Sequence, residues 1–328
     1  MPRVDKSVDI YPYKFEPIYK EKIWGGRNLE RLFRRPLPPG KKIGESWELA
    51  DLKEGTSVVA NGPAAGKTLT DLTAELGEKL LGGAEPTSGG RFPLLLKFLD
   101  ANDILSLQVH PDAQAAAKIG GDAAPKTECW YVVESRGGYI YKGLKGGVAA
   151  DQLREAIQSD TVESLVRRYD VAAGDFHYLP AGTVHAIGPG VVVAEVQTPS
   201  DTTYRVTDWG RPREIQVERS MQCIHFEPPC DKPPGAVSNR LLATDDFSVC
   251  LCAENRGEPA GPPEGSCAAL MVLSGRGRIQ HKGRRETAVS FHGGETILLA
   301  AALEGAVLIP ESPCTYLEIK LPMRSRLP

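Results

Sequence analysis

Two side chains able to hold a metal ion or a substrate stand two residues apart in "LSLQVHPD", residues 105–112: Gln108 and His110. On an extended chain alternate side chains share a face, so Ser106, Gln108 and His110 point one way and Leu105, Leu107 and Val109 the other. That polar face is either turned to solvent or part of a site. A further histidine, His185, ends "GDFHYLPAGTVH", where Pro180 and Gly182 predict a tight turn that delivers His185 onto the next strand. Taken singly, a strand histidine is more often a structural residue, and a glutamine more often a surface or lining amide. Of the other four histidines, His177 reads as structural, and His225, His281 and His292 as surface or loop groups.

The elements that must position these residues are mostly strands. Glycine (34) and proline (26) punctuate short β-rich runs, "ESWELAD", "FPLLLKFLDA", "ECWYVVES", "GYIYKGL", "DFHYLPA" and "VVVAEVQ". Many short strands between turn signals predict a sandwich or barrel. Helices are few. "TLTDLTAELGEKLLGG" sets Leu69, Leu72, Leu76 and Leu80 at helical spacing, and "VAADQLREAIQSDTVESLVRRYD" predicts one or two amphipathic helices.

Prolines crowd "HFEPPCDKPPGAVSN", residues 225–239, which puts a domain boundary near residue 232 and predicts domains of 1–231 and 232–328. An internal repeat relates the halves. "VVESRGGYIYKG" (132–143) is similar to "VLSGRGRIQHKG" (272–283), and "GDFHYLPAG" (174–182) to "GETILLAAA" (294–302). Carried along without gaps, the alignment sets Ala268 opposite Glu128 and Gly305 opposite His185, so any metal chemistry belongs to the first half.

With 41% hydrophobic and 25% charged residues the chain has the composition of a soluble globular protein. Its formal net charge of -3 gives no general pull toward nucleic acid or an anionic membrane, so an anionic ligand must be held by local cations. No segment reaches the roughly 18 apolar residues of a membrane span, and the amino terminus lacks a signal-peptide core, so a cytoplasmic location is expected. The seven cysteines are scattered and never spaced as C-x-x-C, which argues against a disulfide framework or a thiolate zinc site.

The stretch from Gly174 to His185 fits G-x5-P-x-G-x2-H, the second signature of the cupin barrels. Cupins usually bring two histidines from an earlier strand, whereas this chain offers Gln108 and His110. That departure, together with "PKTECWYV" (125–132), "PAGTVHAIGPGVVVAEVQTPSDTTYRVTDWGR" (180–211), "EKIWGG" (21–26) and "GESWELAD" (44–51), resembles the type I mannose-6-phosphate isomerase family in its short bacterial form. The resemblance covers about residues 10–220 strongly and implies a mainly β fold, two cupin jelly-roll barrels with a few peripheral helices. The second barrel is expected to lack metal ligands.

The resemblance implies one zinc ion per chain, with ligands Gln108, His110, Glu128 and His185. It implies Arg205 as the active-site arginine, and Lys126 and Glu195 as active-site groups. A guanidinium is no practical base, so Arg205 is expected to position and stabilise charge. Glu195, already ionised, is the expected base, with Lys126 assisting ring opening or a hydroxyl proton. Ser106 and Lys97 are candidates for the phosphate, Lys97 because it interrupts an apolar strand where a charge is costly unless paired. Trp24 is expected either as an aromatic wall for the sugar or as core.

The function implied is interconversion of mannose 6-phosphate and fructose 6-phosphate through an enediol-type intermediate. Alternatives are another sugar phosphate, an iron-dependent cupin oxygenase, or a non-catalytic sugar-binding cupin. Gln108 disfavours the oxygenase, since a neutral oxygen ligand suits a non-redox ion. No nucleic-acid or membrane partner is expected, and the oligomeric state is not encoded legibly.

Overall fold

Strand pairing nests like a hairpin rolled upon itself in the computed structural model, which describes residues 9–257, 260, 265–281 and 284–322. Two compact units form, one from Tyr19–Trp47 and Leu95–Pro233, the other from the described parts of Met1–Ile18, Glu48–Leu94 and Pro234–Pro328. The strands of the first are β1 (Ile18–Gly26), β2 (Ile43–Leu49), β3 (Leu95–Ala101), β4 (Leu107–Val109), β5 (Glu128–Ser135) and β6 (Tyr139–Leu144). They continue with β7 (Val166–Asp170), β8 (Phe176–Leu179), β9 (His185–Ile187), β10 (Val191–Gln197) and β11 (Tyr204–Thr207).

β3 pairs with β10, β4 with β9, β5 with β8 and β6 with β7, all antiparallel. This nesting is the jelly roll. It yields two sheets, β8-β5-β10-β3-β2-β1 and β7-β6-β9-β4-β11. Leu99, Trp130 and Val193 of the first sheet pack in one cluster with Ile140 and Ile187 of the second, so the core lies between them. Each such fully buried large side chain contributes about 1.5–3 kcal/mol.

The inward faces change character along their length. Lys97 is followed by Leu99 and Ala101 on β3, Glu128 by Trp130 and Val132 on β5, and His185 by Ile187 on β9, each two residues apart and so on one face. On β10 Val193 gives way to Glu195 and Gln197. One end of the interior is therefore dry core and the other polar. Outside the five-stranded sheet, Leu107, Val109, Val184 and Val206 pack on the helices Ala113–Ile119, Ala150–Gln158 and Val217–Cys223. Asp112 starts the first of these by accepting the Ala115 N–H at 2.7 Å.

Three local expectations change. Leu105 lies outside β4, its N–H donating to Ile187 O at 2.9 Å, and packs in the inner cluster rather than with Leu107 and Val109. Residues 166–170, read as the end of a helix, form β7, because pairing with β6 outweighs helical spacing. The helix over 69–81 breaks at Gly77 (φ 49) into Leu69–Leu76 and Glu78–Leu81.

The second unit repeats the topology. Ser248–Glu254 and Ala268–Ser274 both pair with Cys314–Lys320, Ala268–Ser274 also with Thr296–Leu299, and Arg276–His281 with both Arg284–His292 and Ala306–Pro310. These correspond in order to β3, β5, β10, β8, β6, β7 and β9. The partner of β4 is reduced, among the described residues, to an isolated bridge between Ala260 and Leu308. Two segments remote in sequence also fall in this unit: Tyr13–Lys14 pairs with Thr296–Leu299, and Asp51 accepts from Thr70, Arg91 and the Phe92 N–H. The unit that holds the described residues after 233 thus also takes in residues 9–18 and 48–94. Among the described residues no helix is long and apolar enough to cross a membrane.

Candidate metal centre and active-site cavity

Two adjoining strands of one sheet, β4 and β9, and β5 of the other deliver the ligands. In register His185 of β9 faces Gln108 of β4, and Gln108 faces Arg205 of β11. Glu128 opens β5 opposite Gln197 of β10. The turn before β9 closes through the Thr183 N–H on Pro180 O at 3.1 Å, with Gly182 at φ +83, a left-handed position that glycine takes readily. The Gly182 N–H also donates to His110 O at 2.9 Å, tying the turn to the other ligand strand.

His110, Glu128 and His185 are almost fully buried, and their ligand atoms all lie within 4.8 Å of one another. Each imidazole has its Nδ1 on a backbone carbonyl, His110 on Thr202 O at 2.9 Å and His185 on Thr183 O at 2.8 Å. Donation from Nδ1 leaves Nε2 as a lone pair aimed at Glu128, 3.3 Å away for His110 and 3.2 Å for His185. Despite these approaches, His110 Nε2 and both Glu128 carboxylate oxygens are buried without a hydrogen bond. Buried polar atoms are seldom left so, and three converging orphaned donors are what a divalent ion requires. The residues fit a metal.

Burial pushes the His110 imidazole down to about 3, assisted by the Lys126 charge, and lowers His185 as well. Both are therefore neutral, as ligation needs. Burial would raise Glu128, but the Lys126 ammonium, 2.9 Å from its Oε2, holds it well below the usual carboxylate range. The Gln108 amide nitrogen lies 3.2 Å from His185 Nε2, donating to its lone pair. Its carbonyl oxygen would face an ion after rotation of the amide.

A cavity of about 210 Å³ opens beside the ligands. Of the residues singled out from the sequence, Trp24, Lys97, Ser106, Gln108, Lys126, Glu195 and Arg205 all line it. Trp24 serves both expected roles, lining the cavity and packing in the inner cluster at 5% exposure. Arg205 is half-buried, and its Nε has no hydrogen bond. The Lys97 ammonium is held between Glu195 (3.1 Å) and Glu45 (3.8 Å), the pairing that a buried charge needs. Glu195 accepts from the Trp130 indole N–H at 2.9 Å, and burial, reinforced by Glu128, raises its pKa against the pull of Lys97. The ready ionisation expected of Glu195 is thus opposed by its surroundings.

Sequence reading passed over Lys22, Glu45, Asp201, Thr203 and Arg213 of the same wall. Glu45 carries the signal that exposed Lys97, a charge on an otherwise apolar strand face, between Ile43 and Trp47. Five cationic and three acidic side chains line the cavity, a balance that favours an anion. His177 is half-buried on the inner face opposite Trp130 and outside the ligand group. His225 is exposed but structured, its Nε2 2.9 Å from Asp112, and His292 is exposed beside Glu295. The His281 side chain lies outside the described residues.

The family "Phosphomannose isomerase type I, catalytic domain" matches residues 13–134. A mannose-6-phosphate isomerase of Streptococcus mutans is 36% identical over 281 residues, 80% of this chain and 87% of that protein. Another, from Bacillus subtilis, is 40% identical over 220 residues, 65% of this chain and 68% of that protein. The crystal structure of a Bacillus subtilis mannose 6-phosphate isomerase superposes with a TM-score of 0.82 at 31% identity, covering 94% of this chain and 99% of that one. By these matches in sequence and in fold, the chain belongs to the type I phosphomannose isomerase family.

Proposed function

We propose that this protein interconverts mannose 6-phosphate and fructose 6-phosphate through an enediol-type intermediate, using one zinc ion held by Gln108, His110, Glu128 and His185. The observation that carries the reading is the convergence of buried His110, Glu128 and His185, the first two with orphaned ligand atoms, beside a cavity with excess positive charge. Two neutral imidazoles and a carboxylate suit zinc with a position open to substrate. When bound, such an ion supplies Lewis acidity toward a substrate oxygen on which negative charge develops.

The chain's own residues do the rest. Glu195 removes the proton from one carbon and returns it to its neighbour. Burial helps here, because a carboxylate raised from its usual range is the stronger base and, once protonated, can hold the proton for return. Lys126 assists ring opening or a hydroxyl proton from its fixed place on Glu128. Arg205 faces the developing oxyanion with a permanent charge and orients the open chain. Ser106 contributes to anion binding, and Trp24 gives the sugar an apolar wall. Lys97, expected at the phosphate, is better read as the counter-ion of Glu195 and Glu45. We place the reaction in the cytoplasm, supported by seven cysteines that are all free thiols.

Metal analysis of wild type and His185→Ala, each assayed on mannose 6-phosphate with glucose 6-phosphate and a pentose phosphate alongside, tests this. Wild type should carry one zinc and prefer mannose 6-phosphate, and the variant should lose both metal and turnover. A variant that keeps both refutes the site, and a zinc-loaded wild type inactive on mannose 6-phosphate refutes the substrate.

A further inference from the structure

Glu45 has no part in the chemistry described so far, yet it lies in the same cavity wall. Its Oε1 is 2.8 Å from Lys22 Nζ, and its Oε2 accepts the Trp47 indole N–H at 2.7 Å. The same Oε2 stands 3.8 Å from Lys97 Nζ, whose other carboxylate partner is Glu195 at 3.1 Å. Lys22, Glu45, Lys97 and Glu195 thus form a row of alternating charge across β1, β2, β3 and β10. Its inner members are buried and its outer end, Lys22, is partly exposed.

We propose that Glu45 is a positioning residue for the isomerisation: by sharing Lys97 with Glu195, it keeps the Glu195 carboxylate from being locked as that lysine's sole counter-ion. The inference rests on the reading of Glu195 as the base. A buried carboxylate beside an unshared ammonium is strongly stabilised as the anion and accepts a carbon-bound proton poorly. A second carboxylate on the far side of the ammonium divides that attraction. Glu195 is faced by Lys97 from β3, by Glu128 from β5 and by Lys126 just before β5, with Trp130 donating. Lys97 is faced by Glu195, Glu45, Asp201 and Glu128, and Glu45 by Lys22 and Lys97. Lys22 and Glu45 are therefore handles of opposite sign on one base.

The test is the pH dependence of kcat on mannose 6-phosphate for zinc-loaded wild type, Glu45→Gln, Lys22→Met and Glu195→Gln. Glu45→Gln should move the acid limb down by about one pH unit, as removal of one nearby negative charge predicts. Its plateau should fall about tenfold with KM within about threefold, since a weaker base slows proton transfer without loosening the sugar. Lys22→Met removes a positive charge and should move the limb up. Acid limbs that stay at the wild-type position in both variants, with Glu195→Gln inactive, overturn the inference and reduce Glu45 to a structural ion pair. Should Glu45→Gln fail to fold, the Lys22→Met shift decides alone. Full activity in Glu195→Gln instead overturns the base reading, and the inference with it.

Discussion

Lys97→Met separates a phosphate clamp from a buried counter-ion. Lys97 is 4% exposed and its ammonium lies 3.1 Å from Glu195 and 3.8 Å from Glu45, both in the protein interior. Methionine matches much of the volume, so the loss is chiefly electrostatic: two carboxylates remain with one fewer cation between them. Breaking a buried pair in this way costs about 3–5 kcal/mol, because the remaining charge stays desolvated. The cost should depend on pH with a definite sign. Without Lys97, burial and the Glu128 charge push Glu195 further up, and a carboxylate raised in the folded state favours folding at low pH and loses that advantage as pH rises. Each pH unit through which the folded group alone holds its proton removes about 1.4 kcal/mol. Urea unfolding at pH 5 and pH 8 should therefore show the variant closer to wild type at pH 5. Turnover should run the other way, with kcat depressed at neutral pH and recovering toward pH 9 as Glu195 ionises. A variant of wild-type stability whose only defect is a raised KM would refute the counter-ion reading and restore Lys97 to the phosphate.

Gly182→Ala should destabilise by about 1–3 kcal/mol and weaken zinc binding, because alanine resists that left-handed φ and its Cβ would meet the His225 ring at 2.5 Å. Thermal unfolding with metal titration reads both effects. His177, pushed down to about 4 by burial and then by Lys142, must be neutral to stay folded as it is. Its stabilisation is present above the unfolded value near 6.5 and is lost as pH falls toward 4. Between pH 7.5 and 5 wild type should lose about 1 kcal/mol more than His177→Asn, allowing for the partial exposure of the ring. Chelation should abolish turnover and lower the melting temperature, and zinc at about 100 times its Kd should restore about 2.7 kcal/mol. An apo protein with unchanged melting would contradict ligands that are orphaned without an ion.

Much of the site was legible because its donors come in pairs on strands, where a period of two assigns faces without any knowledge of the partner strand. Ser106, Gln108 and His110 could be grouped that way, as could the turn that presents His185, since only local geometry is involved. The family resemblance extended this to Glu128, Arg205, Lys126 and Glu195, all of which the fold brings to one cavity or its ligand group. The repeat was also readable: the pairing of Ala268 with Glu128 in sequence agrees with two strands that begin at those residues.

What stayed hidden depended on which strands lie side by side. Lys97 was noticed as a costly charge, but that its compensation comes from Glu45 and Glu195 follows from β3 lying between β2 and β10, a long-range pairing with no local signature. The same holds for residues 9–18 and 48–94, which join sheet edges and polar contacts far along the chain. Residue type and spacing, acting through backbone geometry, were enough to say which side chains share a face and which turn delivers a ligand. Which charges neutralise one another, and therefore which lysine is free for substrate and how basic Glu195 is, was decided by the tertiary structure, because electrostatic energy depends on distance in space and on burial rather than on order along the chain.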